Sequence, residues 1–288
     1  MKKRRSGLKA TICIVVLLFL VAILGIKPFL YWQNDTLEVT NYTVVSDRLP
    51  AGFDGYKIVL LSDIHGKVFA EDNAPLYKAI EAQQADMLCI AGDLVDEGVA
   101  GSREVIEKLL RDCVLPKQVY VVSGNHDLWT HDFKGFAQKL EQQYPITFLE
   151  NKSVAITKGD DTVYLYGISD PSTWEEEKAL QSVASADQSL EKRDGYHILL
   201  FHRANMLDYF NDKAYDLILS GHMHGGQVRL PFLGGLKSPH GDWFPRYSGG
   251  RYDVENKTYI VSRGIGNAVR VPRLFNRPEL VTITLKGK

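Results

Sequence analysis

The chain has 288 residues, 45% hydrophobic and 24% charged, enough for one large domain or two small ones, with no low-complexity tract or internal repeat. Formal net charge is −1, but the first ten residues hold Lys2, Lys3, Arg4, Arg5 and Lys9 and no acid, leaving 29 basic against 35 acidic side chains, about −6, in the remainder. That balance argues against a nucleic-acid binder relying on a broad basic face. Cys13, Cys89 and Cys113 have no zinc-knuckle or disulfide spacing and read as small apolar residues.

Residues 10–26, ATICIVVLLFLVAILGI, carry no charge and reach the lower end of the roughly 17–25 residues that a membrane span needs. Basic residues precede the run, Lys27 can snorkel, and Tyr31 and Trp32 suit an interfacial aromatic belt. The expected organisation is a cytoplasmic basic segment over 1–9, a transmembrane signal-anchor over 10–32 and one domain over 36–288. The positive-inside rule then gives a single-pass protein of the cell membrane, its N-terminus cytoplasmic and its bulk outside. A cleaved signal peptide is the rival, but no small-x-small site follows the run. RRSGLK partly resembles a twin-arginine export signal, with Gly7 where an aromatic residue is usual.

Beyond the anchor, LEVTNYTVVS alternates like a strand and YKIVLLSD is an almost continuous apolar run, as expected of a strand covered on both faces. NAPLYKAIEAQQA reads as a helix, DMLCIAGD as a strand, and SREVIEKLLRDC as a helix with Ser102 as its N-cap. KQVYVVSGNHD is a strand entering a loop, and DFKGFAQKLEQQ a helix. The second half is strand-rich: ITFLE, SVAIT, TVYLYGI, YHILLF, YDLILSG, GQVRL, KTYIVSRG and ELVTITL. Only TWEEEKALQSVASADQSLEK and RANMLDYFND look helical there. The expected fold class is α/β: two packed mixed β-sheets flanked by helices, preceded by one transmembrane helix.

Five of the apolar runs end in the same chemistry. They deliver Asp63 and His65; Asp93 and Asp96; Asn125, His126 and Asp127; His202; and His222 and His224. Residues i and i+2 of an extended backbone point the same way, so each spaced pair can reach one place. Ligands of open α/β sheets gather beyond the carboxyl ends of strands. Taken singly these residues have blander readings: Asp63 or Asp93 as a helix cap, Asn125 as a turn, Asp96 as a surface acid. Together Asp63, His65, Asp93, Asn125, His202, His222 and His224 are too many for one metal but suit two, about 3.5–4 Å apart, with a shared carboxylate. Carboxylate, amide and imidazole without thiolate fit Mn, Fe or Zn. Two dications outweigh the two carboxylates, and the surplus attracts a phosphate oxygen. His131, His197 and His240 lack this context, although His240, in SPHGDWFPRY, could line a substrate pocket.

Asp-x-His, Gly-Asp-x-x-Asp, Gly-Asn-His-Asp, a lone His and Gly-His-x-His, in this order from Asp63 to His224, resemble the calcineurin-like metallophosphoesterase superfamily. The anchor, SGHMHGGQVRLPF and VSRGIGNAVRVPRLFNRPEL resemble its membrane-anchored bacterial branch, related to hydrolases of UDP-2,3-diacylglucosamine. The resemblance implies an αββα sandwich and a dinuclear-metal phosphoester hydrolase. It puts one metal on Asp63, His65, Asp93 and His224 and a second on Asp93, Asn125, His202 and His222, with Asp93 bridging. His126 would stabilise the transition state or protonate the leaving oxygen, oriented by Asp96. Where relatives often carry Asn-Pro after the lone His, this chain has Arg203-Ala204; Arg203, Arg263, Arg270 and Arg273 are candidates to hold the substrate's phosphate. The expected partners are a phosphoester substrate, lipid-linked if the apolar LPFLGGL and DWFPRY line its site, and a membrane; no nucleic acid is expected. The alternatives are a catalytically silent metal-binding scaffold, a nuclease and a phosphoprotein phosphatase.

Overall fold

The computed structural model describes residues 2–116 and 118–288, and of residues 2–10, 18 and 22 the backbone alone. The basic side chains of the first ten residues therefore lie outside the described ones. Helix α1, Lys2–Asp35, opens the chain. Then come β1 (Glu38–Ser46), β2 (Lys57–Leu61), α2 (Ala74–Ala82), β3 (Met87–Ala91), α3 (Ser102–Asp112), β4 (Gln118–Val122), the short α4 (Asn125–Trp129), α5 (Phe133–Gln143) and β5 (Ile146–Phe148). The second half runs β6 (Lys152–Lys158), β7 (Asp161–Ile168), α6 (Glu176–Ser189), β8 (Tyr196–Arg203) and β9 (Leu217–Gly221). It ends with a small hairpin of β10 (Arg229–Leu230) and β11 (Gly234–Gly235), then β12 (Gly250–Val254), β13 (Lys257–Val261) and β14 (Glu279–Gly287).

Two six-stranded mixed sheets result, in the orders β1-β14-β2-β3-β4-β5 and β12-β13-β9-β8-β7-β6. β2, β3, β4 and β5 are parallel, as are β7, β8, β9 and β13. The period of two assigns each side chain its layer. Ile58 and Leu60 of β2 share the central core with residues of the other sheet, among them Ile198, Leu200, Leu217 and Leu219. Val59 and Leu61 point the other way, into a core shared with Leu76, Ile80, Ile106 and Leu140 of the helices outside the first sheet. Leu199 and Ile218 likewise join Ala179 and Val183 of α6 and Leu207 on the outside of the second. Burial on both faces is why the inner strands read as unbroken apolar runs. The expected α/β class, two packed mixed sheets with helices outside, is the observed architecture.

Part of α1, Thr11–Asp35, is long and apolar enough to cross a membrane by length and composition. Its 25 residues span about 37 Å, against a hydrocarbon core of about 30 Å. Two local expectations change. The N-cap of α3 is Gly101, in the left-handed region at φ 79°; Ser102 is the first helical residue and its hydroxyl donates to the Asp96 carbonyl at 3.0 Å. RANMLDYFND forms a 3₁₀ helix, Ala204–Phe210, rather than an α-helix. GRYDV, absent from the expected strands, is β12, a half-exposed edge whose glycine entry weakens the apolar signal.

Candidate dinuclear metal centre

All five residue groups meet at the carboxyl ends of β2, β3, β4, β8 and β9. The spaced pairs do not get there by the strand pleat. Asp63, His65, Asp93, His222 and His224 all have positive φ, between 46° and 72°. β2, β3 and β9 thus leave their sheets through left-handed turns, costing roughly 1–2 kcal/mol per non-glycine residue. Five such residues at one place are held there by the surrounding fold. The turns send His222 towards Asp93 and His202, and His224 towards Asp63 and His65.

The first cluster joins Asp63, His65, Asp93 and His224, and the second Asp93, His202 and His222; within each, one ligand atom per residue lies within 4.8 Å of every other. All six residues are buried. Asp93 Oδ2 is 3.4 Å from His65 Nε2 and 3.3 Å from His202 Nε2, so one oxygen belongs to both clusters. Its Oδ1 accepts the His126 backbone N–H at 2.9 Å, which fixes the carboxylate plane. Gly124 lets that backbone come close: a Cβ there would lie 2.2 Å from Asp93 Oδ1. Asp63 accepts the His222 N–H at 3.0 Å on both oxygens.

The donor chemistry fits cations. His202 Nδ1 donates to the Ala91 carbonyl at 2.7 Å, which turns Nε2 inward. Around that nitrogen stand three further acceptor atoms: His222 Nδ1 at 3.1 Å, Asn125 Oδ1 at 3.2 Å and Asp93 Oδ2 at 3.3 Å. Ligand atoms about 2.0–2.1 Å from a tetrahedral metal lie about 3.4 Å apart, which is this spacing. His65 is buried and its Nε2 makes no hydrogen bond. His224 Nε2 stands 3.6 Å from Asp63 Oδ1. Buried polar atoms without partners are costly unless something else satisfies them, and a cation at the first cluster does so for His65.

Charge agrees. His222 is held well below the ordinary imidazole range, chiefly by burial and then by His202, and burial lowers His224 to about 4, so both stay neutral and ready to ligate. Burial also works to lower His202, but its contact with Asp93 wins and raises it to about 10. Burial opposes ionisation of Asp93, and His202 outweighs it and holds the carboxyl well below its usual range. In the metal-free protein the two are an ion pair, so His202 keeps its proton at neutral pH and must lose it to ligate. Loading at pH 7 is expected to release at least about one proton per chain, and affinity to strengthen as pH rises. Calorimetric titration in buffers of different ionisation enthalpy measures this; a buffer-independent heat contradicts it.

Asp96 stands beside two histidines, its Oδ2 3.2 Å from both His65 Nδ1 and His126 Nδ1. His126 is 26% exposed and lines a cavity of about 500 Å³ together with Asp93, Asn125, His222 and His224. The remaining wall is mainly apolar or aromatic, including Trp174, Met223, Val228, Leu236 and Trp243.

The arginines part company. Arg203 is buried, its guanidinium paired bidentately with Asp170 at 2.6 and 2.9 Å, donating to the Thr173 carbonyl at 2.7 Å and lying over the Trp174 ring. Arg273 is also buried and donates to the carbonyls of Arg263 and Gly266 and to Asn267 Oδ1. Arg263 pairs with Glu279 at 2.8 Å. These three guanidiniums brace loops, and their donors are taken up by protein rather than left for phosphate. Arg270 is exposed on the loop whose Val269 and Val271 line the cavity. Breaking one side of a buried ion pair costs about 3–5 kcal/mol. Arg203→Met is therefore expected to lower stability by about that much, measured by denaturant unfolding; full stability with weakened substrate binding contradicts the bracing role.

Three neighbours stand outside the expected metal-binding and catalytic residues. Asp127 is buried, accepts from Val95 N–H and Gly124 N–H, and is raised to about 8 by burial and the nearby Asp93 charge. It ties the loop after β3 to the turn after β4; its place in Gly-Asn-His-Asp is the available signal. Asp170 follows TVYLYGIS, a sixth apolar run with a polar end. His240 lines the cavity as the sequence allowed, and its Nε2 is 3.0 Å from His222 Nε2.

A family model described as calcineurin-like phosphoesterase matches residues 56–226. The chain is 31% identical over 275 residues to "Uncharacterized metallophosphoesterase YkoQ" of Bacillus subtilis (strain 168), covering 92% of this chain and 97% of that protein. It is 30% identical over 273 residues to YkuE of the same organism, described likewise, covering 89% and 88%. It is 28% identical over 268 residues to "Transmembrane protein with metallophosphoesterase domain" of Danio rerio, covering 86% of this chain and 57% of that protein. The chain belongs to the calcineurin-like phosphoesterase family, and it is a metal-dependent phosphoester hydrolase.

Proposed function

We propose that the chain is a membrane-anchored hydrolase of a phosphodiester, pyrophosphate or lipid-linked envelope phosphoester such as UDP-2,3-diacylglucosamine. Two divalent cations, Mn, Fe or Zn, would be held by Asp63, His65, Asp93 and His224 and by Asp93, Asn125, His202 and His222. Bound there, they would supply Lewis acidity towards the phosphoryl oxygens and a water deprotonated near neutral pH. The observation that carries this reading is the single Asp93 oxygen lying between His65 Nε2 and His202 Nε2.

The chain's own residues have distinct work. Asp93 fixes the spacing of the two halves, with its second oxygen pinned by the His126 N–H. His126, held by Asp96, faces the cavity from which the leaving oxygen departs and gives it a proton. Met223, Val228, Leu236 and Trp243 exclude water from that cavity and offer an apolar or acyl group a surface. The apolar segment of α1, with Tyr31 and Trp32 at its end, supports an anchor, and the basic residues before it support a cytoplasmic N-terminus with the 36–288 domain on the other side. A phosphate-release screen over head-group, nucleotide-sugar and lipid phosphoesters, each with Mn, Fe and Zn, tests the substrate class. Lipid-linked esters are expected to be cleaved fastest; activity confined to small soluble esters contradicts the lipid assignment.

A further inference from the structure

The foot of α1 is clamped to the loop that walls the active-site cavity. Asn34 Oδ1 accepts the Arg273 N–H at 2.7 Å, and Asn34 Nδ2 donates to the Arg273 carbonyl at 3.2 Å, a side chain mimicking a strand partner. Gln33, buried, accepts the Asn276 N–H at 3.2 Å. Phe29 meets the Phe275 ring edge-on at 5.9 Å, and the Arg277 guanidinium lies over Trp32. The side chain of Arg273 then continues inward to Gly266, Asn267 and, at 3.4 Å, His224 Nδ1. One residue thus links the helix foot to a candidate metal ligand.

The same loop carries exposed apolar side chains. Val269, Val271 and Phe275 are more than half exposed, and the first two also line the cavity. The β10–β11 hairpin is tied to this loop by the Arg229 N–H on the Leu274 carbonyl at 3.0 Å, and at its tip Phe232 is fully exposed with Leu233 beside it. Phe232 also has a positive φ, 68°, a conformation that a phenylalanine adopts at a cost. Trp243 is exposed on the next segment, which pairs with Leu236 and Lys237 behind the hairpin. Across residues 227–244 and 267–277 the basic side chains Lys237 and Arg270 are exposed and Arg229 and Arg277 half-buried, Arg273 is buried, and the one acid is Asp242. Six exposed apolar groups ringed by positive charge match the boundary of an anionic bilayer.

Distance forces the match. Val271 and Phe275 are each two residues from Arg273, so within about 7 Å of the clamp along the chain. Asn34 is two residues beyond Trp32, about 3 Å along the helix axis. The interfacial layer on each side of the hydrocarbon is about 5–8 Å deep. If α1 leaves the membrane at Tyr31 and Trp32, the loop has no room to stand clear of the headgroups. We infer that the collar formed by residues 227–244 and 267–277 seats on the anionic bilayer into which α1 descends, with Phe232 and Leu233 inserted, so that the cavity opens onto the headgroup layer. This rests on reading α1 as an anchor. It makes the substrate a phosphoester that reaches the metals from the plane of the membrane rather than from bulk water.

The test uses the full chain in phosphatidylcholine vesicles containing about a quarter phosphatidylglycerol, an anionic surface of the kind that basic segments recognise. A fluorophore is placed on Phe232→Cys or, as control, on Asp160→Cys, an exposed turn at the amino end of β7, away from the site; both carry Cys13→Ser, and Cys89 and Cys113 are buried. Flotation with the vesicles reports the anchor. With flotation, nitroxide-labelled lipid is expected to quench position 232 by more than half and position 160 hardly at all, while aqueous iodide does the reverse. Flotation with position 232 as open to iodide as position 160 overturns the collar and leaves the anchor standing. Flotation with position 232 shielded from both quenchers means a second copy covers the face, and overturns it too. Failure to float overturns the anchor and the collar together.

Discussion

Asp93→Asn is expected to leave the fold intact and empty the site. The substitution keeps the side chain's shape and its Oδ1 bond from the His126 N–H, so β3 and its neighbours have no steric reason to move. It removes the one charge that both clusters share and leaves His202 buried without its partner. In the metal-free protein that lost partner lowers stability by about 3–5 kcal/mol, and loss of a shared ligand should weaken metal binding by more than the roughly 10–100-fold that an outer-shell partner is worth. Metal content after dialysis should drop below one ion per chain, and phosphate release should fall by about the same factor at limiting metal. Elemental analysis beside a chromogenic phosphodiester assay checks both. Near-normal turnover by metal-loaded Asp93→Asn contradicts the bridging role.

His126→Ala is expected to do the opposite: two metals retained, chemistry lost. His126 is outside both candidate ligand sets, and its side chain faces the cavity beside them. A positioned general acid contributes about 10²–10⁴-fold, and kcat should fall by that much with little change in metal content. The pH profile separates this from a structural role. Burial, the main cause, holds the imidazole of His126 below its ordinary range, with His65 adding to it and Asp93 and Asp96 opposing. With Nδ1 towards Asp96, the other nitrogen carries a proton to donate only in the imidazolium form. kcat/KM should therefore fall as pH rises through a point on the acid side of an ordinary histidine, and His126→Ala should lack that limb. Asp96→Asn should weaken both histidines it touches, lowering metal affinity as well as kcat. A variant at position 126 with the parental profile contradicts the acid role.

The inner strands were legible because burial on both faces leaves almost no polar residue in YKIVLL, MLCIA or LILSG, and the residues that cluster at the candidate metal centre were legible because each group of them ends such a run. What the sequence could not carry was conformation at the exit. His222 and His224 share a site, but left-handed turns rather than strand pleating send them to its two halves. The arginines looked like phosphate ligands by charge and position; only tertiary contacts reveal that Asp170 and a set of loop carbonyls occupy Arg203 and Arg273. Trp174 reaches the cavity from an irregular loop with no periodic pattern to mark it, whereas His240 was marked only by its setting in SPHGDWFPRY. The clamp between Asn34 and Arg273 joins residues 239 positions apart, beyond any local signal.

Anomalous scattering from crystals of the manganese-loaded full chain measures the shared-carboxylate centre most directly. Two manganese peaks are expected, one on each side of Asp93 Oδ2, the first among Asp63, His65 and His224 and the second among Asn125, His202 and His222. A single peak, or peaks that do not share Asp93, would contradict it.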